Sequence, residues 1–416
     1  MAPSHPRTRP LVVATTLAFA TFGAFWGAWG ASIPRIRAQA GVDDAQLGLA
    51  LLFVGAGALP AMMLTGRAID RWGLLVAGLM LATLGGTGVL VALIATDLVS
   101  LSIALTVVGV TSGAADVAIN TVAGRAEHEA RRPIITRAHG VFSSFVVIAS
   151  LGTGALTAAG APVVTPFALV AIAALVAAAL MVRGLPTGPD ATTPVHTPTS
   201  GDVNAQFPAV PTLSLIGLGL LGALGFASEN AHENWSAIFA TDALNTSAAV
   251  GAIAPAVFAG AGAITRFATG GISAAHARPV IAAGAAAAAT GALVIAYAPS
   301  LAVTALGLVL AAAGTAVLFP MILSVVSART NAANRGRAIS TVSTVAYLGF
   351  LLGPPYVGFF SGAAGLRAAM LAVAVLGVLL LLFTPLITPE PRRTASHTLS
   401  DQPAPEPTPP GMRNHP

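Results

Sequence analysis

LSIALTVVGVTSGAADVAINTVAGR, residues 101–125, holds one acidic side chain, Asp116, in an otherwise apolar and small-residue run. The run is long enough to cross a hydrocarbon core about 30 Å thick, which takes about 20 helical residues. A charged side chain at the centre of a bilayer costs about 2.5–3.5 kcal/mol on insertion scales, and intramembrane carboxylates are functional by default. Gly109, Gly113, Asp116 and Asn120 recur at helical spacing and share one face. The small residues let a neighbouring helix come close. Asp116 is therefore either a packing group hydrogen-bonded across a helix bundle or a cavity group that takes up a coupling proton.

The rest of the chain has the same character. Of 416 residues, 55% are hydrophobic and 8% charged, against about 25% charged in soluble domains. Twelve apolar segments are long enough to span: 11–33, 46–66, 73–95, 99–123, 138–160, 163–183, 211–240, 247–267, 279–298, 300–328, 339–361 and 365–388. The first follows Arg7 and Arg9 as a signal peptide would, but its apolar run is too long and eleven more spans follow it. The expected fold is an all-α membrane protein.

All 20 basic residues are Arg. With the N-terminus placed inside, 17 of them fall on the inner side and only Arg35, Arg37 and Arg367 on the outer. This asymmetry sets both termini in the cytoplasm of a multi-pass cell-membrane protein, in bacteria the inner membrane. The net charge of +5 is thus a topology signal, and no nucleic-acid partner is expected. With no Cys there is no disulfide, thiolate metal site or cysteine nucleophile.

Residues 184–210, GLPTGPDATTPVHTPTSGDVNAQFP with its flanks, lack apolar periodicity and read as a flexible cytoplasmic linker. The linker divides an N-terminal bundle, 11–183, from a C-terminal bundle, 211–388, each of six spans. Residues 1–10 are a cytoplasmic N-terminus, and the Pro-rich tail 389–416 is expected to be disordered. GVTSGAADVAINTVAGR in span 4 has a faint counterpart about 204 residues later in span 10, LAAAGTAVLFPMILSVVSAR, each ending in Arg before a basic loop. Two pseudo-symmetric six-span halves around a linker are the plan of a secondary transporter.

After span 2 comes GRAIDRWG, residues 66–73. This fits G-x-x-x-D-R-x-G and resembles the loop signature of the major facilitator superfamily. Gly66 and Gly73 would permit a tight turn, Asp70 would sit at the start of span 3 where the helix dipole favours an anion, and Arg71 would stay at the headgroups. The resemblance implies that Gly66, Asp70, Arg71 and Gly73 form a conformational lock between two access states. The loop after span 8, TRFATGGISAAHAR, keeps Arg266 and Gly270–Gly271 but has Ala275-His276 where Asp-Arg would stand, so the lock is expected to be asymmetric.

Gly113, Asp116 and Asn120, spaced G-x-x-D-x-x-x-N, together with Phe319-Pro320, resemble fucose-permease-type symporters. RAHGVFSSF at 137–145, FASENAHENW at 226–235 and YLGFLLGPPYVGFF at 347–360 resemble the YbjJ-like bacterial branch. The resemblance implies that Asp116 is the proton site. The resembled symporters also carry an acid in span 1, and this chain has none there.

Glu229, His232, Glu233 and Ser236 in span 7 recur at i, i+3, i+4 and i+7. They form either a cavity stripe, with Glu229 a second proton-coupling group, or an outer loop beyond a shorter helix. Trp235 would stack on a sugar ring or anchor at the interface. Trp26 and Trp29, among Gly23, Gly27 and Gly30, would wall a substrate or pack on neighbours. Asn120, Trp26, Trp29, His232, Glu233 and Trp235 are the substrate-binding candidates. Arg35 and Arg37 would form a gate with Glu233, attract an anion, or snorkel beside Asp43 and Asp44. His139 would gate the cytoplasmic end of span 5 or make a structural hydrogen bond.

No H-E-x-x-H, G-x-S-x-G or P-loop occurs, so an enzyme is not expected and neither cofactor nor metal is implied. The expected function is transport of a small solute, a sugar or related metabolite, by alternating access and proton symport. A proton-coupled drug efflux antiporter and a non-transporting sensor are the alternatives. The G-P-x-x-G-G pattern common in span 5 of such antiporters is missing from SLGTGAL, 150–156. The expected partners are a small-molecule substrate, protons and the lipid bilayer, for a monomer. The topology has a direct test: of single cysteines introduced at Ser200 and Thr246, an impermeant thiol reagent applied to intact cells should label only the one at 246. Labelling at 200 would reverse the orientation.

Overall fold

The computed structural model describes residues 8–185, 211–269, 272–330 and 332–387. Twelve helices in it are long and apolar enough to cross a membrane. They are α1 (Arg9–Ala40), α2 (Asp44–Trp72), α3 (Leu75–Ile94), α4 (Leu98–Ala130), α5 (Ile135–Ala158), α6 (Val164–Arg183), α7 (Thr212–Ala243), α8 (Ala248–Thr269), α9 (Ala274–Ala296), α10 (Leu301–Arg329), α11 (Asn334–Ala364) and α12 (Leu366–Phe383). No strand occurs among the described residues. Helices satisfy their own backbone groups, which hydrocarbon cannot do. Most of the expected linker 184–210, the tail 389–416, residues 1–7 of the N-terminus and Gly270–Gly271 lie outside the described residues.

Local chemistry sets the ends. Asp43 accepts a hydrogen bond from the Gln46 amide while the Gln46 side chain accepts one from the Asp43 amide, a reciprocal cap on α2. Asp97 and Ser100 repeat the device on α4. Gly73 takes φ 71° and closes α2 by donating its N–H to the Ile69 carbonyl, a left-handed geometry that glycine adopts without a Cβ penalty. Several helices exceed the expected spans by a turn or two. α4 runs to Ala130 and α11 begins by Asn334, so both project beyond a hydrocarbon core of about 30 Å.

The halves repeat one packing scheme. In the first, α1 packs on α5, α2 on α4 and α3 on α6; in the second, α7 packs on α11, α8 on α10 and α9 on α12. Glycine makes these contacts close. A Cβ at Gly109 would collide with the Val54 carbonyl, and one at Gly113 would lie 2.9 Å from the Ala58 Cα, so α2 lies directly on the glycine face of α4. Gly23 and Gly27 seat α1 against the Phe142 and Val146 carbonyls, and Gly349 seats α11 against the Ala223 carbonyl. Between helices in lipid, close van der Waals packing of this kind replaces the hydrophobic drive.

The halves meet through α2 with α11 and α5 with α8, with α1 crossing α7 between them. On the face opposite the chain ends this seam is shut. A Cβ at Gly48 would lie 2.9 Å from the Pro354 carbonyl, and one at Gly358 2.7 Å from the Asp44 carbonyl. Ser150 Oγ of α5 donates to the Ala252 carbonyl of α8 at 2.8 Å. Charge reinforces the closure. Arg37 donates to Asp44 and, across the seam, to Asp242, while Ser361 donates to Asp44. Arg35 stays within its half, donating to Thr157 Oγ1 at 3.1 Å and the Ala161 carbonyl at 2.9 Å. Arg37 lies beside Asp44, as the reading that set it next to Asp43 and Asp44 has it, while the Glu233 gate is corrected: its cross-seam partner is Asp242, which the end of α7 brings over it.

The closure predicts a cross-link. The Cβ of Ala45 lies 3.0 Å from the ideal Cβ position at Gly362, near the 3.5–4.5 Å of a disulfide. An Ala45→Cys/Gly362→Cys pair in this Cys-free chain should cross-link on mild oxidation, and adding Arg37→Ala should slow the reaction several-fold. An unchanged rate on non-reducing gels would show that Arg37 does not hold this face shut.

Candidate functional site

Below the shut face lies a cavity of about 310 Å³, lined from both halves. Asp116 reaches it from α4, and Trp26 and Trp29 from α1. Asn120 Nδ2 donates to Asp116 Oδ1 at 3.0 Å and to its carbonyl at 2.9 Å, so Asn120 orients the carboxylate. Asn120 itself is half-buried and sits one turn beyond the lining.

α7 supplies four polar residues of the opposite wall. It continues through the SENAHENW stretch and ends in a wide turn at Phe239–Ala243, so the polar stripe belongs to a helix and the outer-loop reading is corrected. Glu229 and Glu233, four residues apart, line the cavity with Asn230 and Asn234. Arg266 of α8 donates to Glu229 as an ion pair. Glu233 lies close enough to Glu229 and Arg266 to interact electrostatically with both. Asn234 Nδ2 donates to Asn230 Oδ1 at 3.0 Å, and Trp29 Nε1 donates to Asn234 Oδ1 at 3.3 Å. One hydrogen-bonded chain thus ties α1 of one half to α7 of the other.

His232 and Trp235 are not on the wall. They are 1% and 0% exposed, and among the described residues His232 Nε2 and Trp235 Nε1 lack a hydrogen-bond partner. Their place as substrate-binding residues is corrected by helix geometry. At about 100° per residue, His232 and Trp235 turn well away from the Glu229–Glu233 face. His232 packs instead on Phe258, ring centroids 5.5 Å apart.

The GRAIDRWG segment also differs from expectation. α2 continues through Trp72, so Asp70 occupies its last turn, and Gly66 lies inside the helix with open space around it. Asp70 is exposed, at the dipole end that does not favour an anion, and not at the start of α3. Arg71 lies 5.8 Å from the Trp72 ring centroid. Only Gly73 makes the turn. His139 is exposed near the start of α5 and meets Phe19 edge-on at 5.1 Å.

Several site residues carried no sequence signal of their own. Arg266 stands just before a glycine pair and read as a loop cation, yet it lies within α8 and faces the cavity. Asn230 and Asn234 interleave with the acids. Aromatic walls come from both halves. Phe22, Trp26 and Phe142 line one side, with Phe22 and Phe142 centroids 5.7 Å apart. Tyr347 and Phe350 of α11 line the other, 6.5 Å apart. Tyr347 lies within electrostatic range of Asp116.

The cavity lies at the seam between two like halves, and known proteins share this plan. The family model described as Major Facilitator Superfamily matches residues 218–414. An uncharacterised MFS-type transporter of Yersinia pestis is 29% identical over 374 residues, covering 88% of this chain and 92% of its own. The membrane protein MosC of Rhizobium meliloti is 26% identical over 382 residues, covering 90% of each. Among solved structures, a bacterial homologue of the human lysosomal transporter Spinster, inward-facing and occupied, has TM-score 0.70 at 18% identity, covering 92% of this chain and 97% of its own. The nucleoside transporter NupG has TM-score 0.70 at 14% identity, covering 92% and 99%. With twelve spanning helices in two like halves, a cavity at their seam and relatives matching along most of its length, the chain is similar in sequence and fold to transporters of the Major Facilitator Superfamily.

Proposed function

We propose that this protein moves a small solute across the cell membrane by alternating access, driven by proton symport. The observation that carries the reading is the meeting of Asp116 from one half and Glu229 and Glu233 from the other at a single cavity. A carboxylate there changes its surroundings whenever the halves rock, and a group whose two protonation states favour different conformations couples proton movement to that rocking.

The Arg distribution orients the cycle. Moving Arg266 from loop to cavity leaves 16 Arg on the terminal side against 3 on the other, so both termini face the cytoplasm and the shut face points outward. Opening that face requires Arg37 to leave Asp242. Asp116, oriented by Asn120, is the proton carrier; Glu229, held by Arg266, is the reserve candidate. Asp70 and Arg71, exposed in this shut-outward state, become the lock in the opposite state.

Asp116→Asn keeps size and hydrogen bonding but removes titration. Once a ligand has been found by thermal stabilisation of the purified protein, the variant in proteoliposomes should still exchange that ligand across the membrane. It should lose its accumulation under an imposed pH gradient, falling to the level seen without one. Accumulation equal to the parent would transfer the proton role to Glu229. Ligand binding with no movement across the bilayer in the parent would favour a sensor.

A further inference from the structure

We infer, resting on the transport reading above, that the solute carries a protonated amine on a body with an apolar face, and that Glu233 receives the ammonium group. Among the described residues four charged side chains line the cavity, three carboxylates and one guanidinium. Arg266 is paired with Glu229. Asp116 is held by Asn120. Among the described residues Glu233 makes neither a hydrogen bond nor an ion pair, and its residue is exposed to the cavity. If Asp116 takes the coupling proton, Glu233 remains the carboxylate without a hydrogen-bonded counter-charge in a low-dielectric site, since Arg266, the cation within its electrostatic range, is paired with Glu229. Charges in such surroundings are held in pairs, because an unpaired one bears its full desolvation cost.

Each class of solute meets this site differently. An anion adds like charge to an already acidic wall and finds its one cation, Arg266, occupied. A neutral polyol can hydrogen-bond Glu233 but leaves its charge uncompensated. An ammonium supplies both the counter-charge and the N–H donors, and charge-assisted hydrogen bonds of this kind are about twice as strong as neutral ones.

The aromatic lining fits the same ligand. α1 crosses α7 at Glu233: a Cβ at Gly30 would lie 3.6 Å from the Glu233 carbonyl oxygen and 3.5 Å from Pro255. Trp29 and Trp26, one and four residues before Gly30, stand beside that crossing and line the cavity. Trp26 is half-buried and fixed by edge-on contacts from Phe22 and Phe25, with centroids at 6.4 and 5.5 Å. Indole faces attract cations and stack on flat apolar bodies. Carboxylate and indoles together therefore select a cation with an apolar face, where either alone would be less discriminating.

Two matched series test the assignment on the full-length protein in detergent. One is 2-phenylethylamine, 2-phenylethanol and phenylacetate; the other is glucosamine, glucose and glucuronate. Binding is read as thermal stabilisation against ligand concentration. In at least one series the amine should bind best and the carboxylate worst. Glu233→Gln should weaken the amine at least tenfold and bring it level with the alcohol, while Glu233→Asp, which keeps the charge, should retain the preference. Equal or tighter binding of a neutral or anionic member in both series, absence of stabilisation by both amines, or an amine preference untouched by Glu233→Gln would each overturn the inference. The unliganded melting temperature of each variant checks that it folds. Failure here is separable from failure of the transport reading. pH-driven uptake of a neutral or anionic solute would keep the transport and remove the amine. Binding of an amine that no pH gradient can concentrate would do the reverse.

Discussion

A charge inside hydrocarbon has to be paired or hydrated, and this chain meets that demand at one place, the seam between its halves. Asp116, Glu229, Glu233 and Arg266 all line the cavity there. Arg37, Asp44 and Asp242 close the seam above them. Elsewhere the spans turn apolar side chains such as Leu79, Leu93, Ile103 and Leu175 outward. Electrostatics thus gathers these groups at the seam before any substrate is considered.

The two halves share a fold but divide the chemistry unequally. The first contributes one carboxylate, steadied by Asn120 on its own helix, and the indoles of α1. The second contributes an ion pair, a further carboxylate and the amide ladder of Asn230 and Asn234. Trp29 donating to Asn234 joins these inventories directly. Movement of one half against the other must therefore stretch or break that hydrogen bond, which couples the cavity wall to the state of the gate above it.

Much of this was legible in the sequence. Spans are written in long apolar runs, and the half-chain repeat and Asp116 stand out against them. The i, i+4 spacing of Asp116 and Asn120 set them on one helical face, where they hydrogen-bond. Long-range pairing was not legible, since Arg37 and Asp242 are 205 residues apart and nothing local in either marks the other. Arg266 was hidden by position: an Arg before two glycines looks like the end of a helix, and only the packing of α8 on the cavity turns it inward. His232 and Trp235 mark the limit of periodicity. A four-residue polar stripe covers a broad arc, and which edge of that arc meets the cavity is decided by the rotation of α7 against its neighbours. Asp70 was misplaced because α2 continues as helix to Trp72, past the point where hydropathy falls.

The shut face has a mechanical consequence. At one point where α2 meets α11, the atoms in contact are backbone, with Gly48 against Gly358 and Pro354. Side chains that meet across an interface can change rotamer and yield by small steps, whereas main chain on main chain cannot. The two bodies therefore meet at a hard stop with one defined separation. Packed interfaces of this kind are bistable and do not deform continuously. A carrier built on such a stop moves between end points, and a bulky residue at Gly48 or Gly358 would act as a shim, holding the halves apart by a fixed increment.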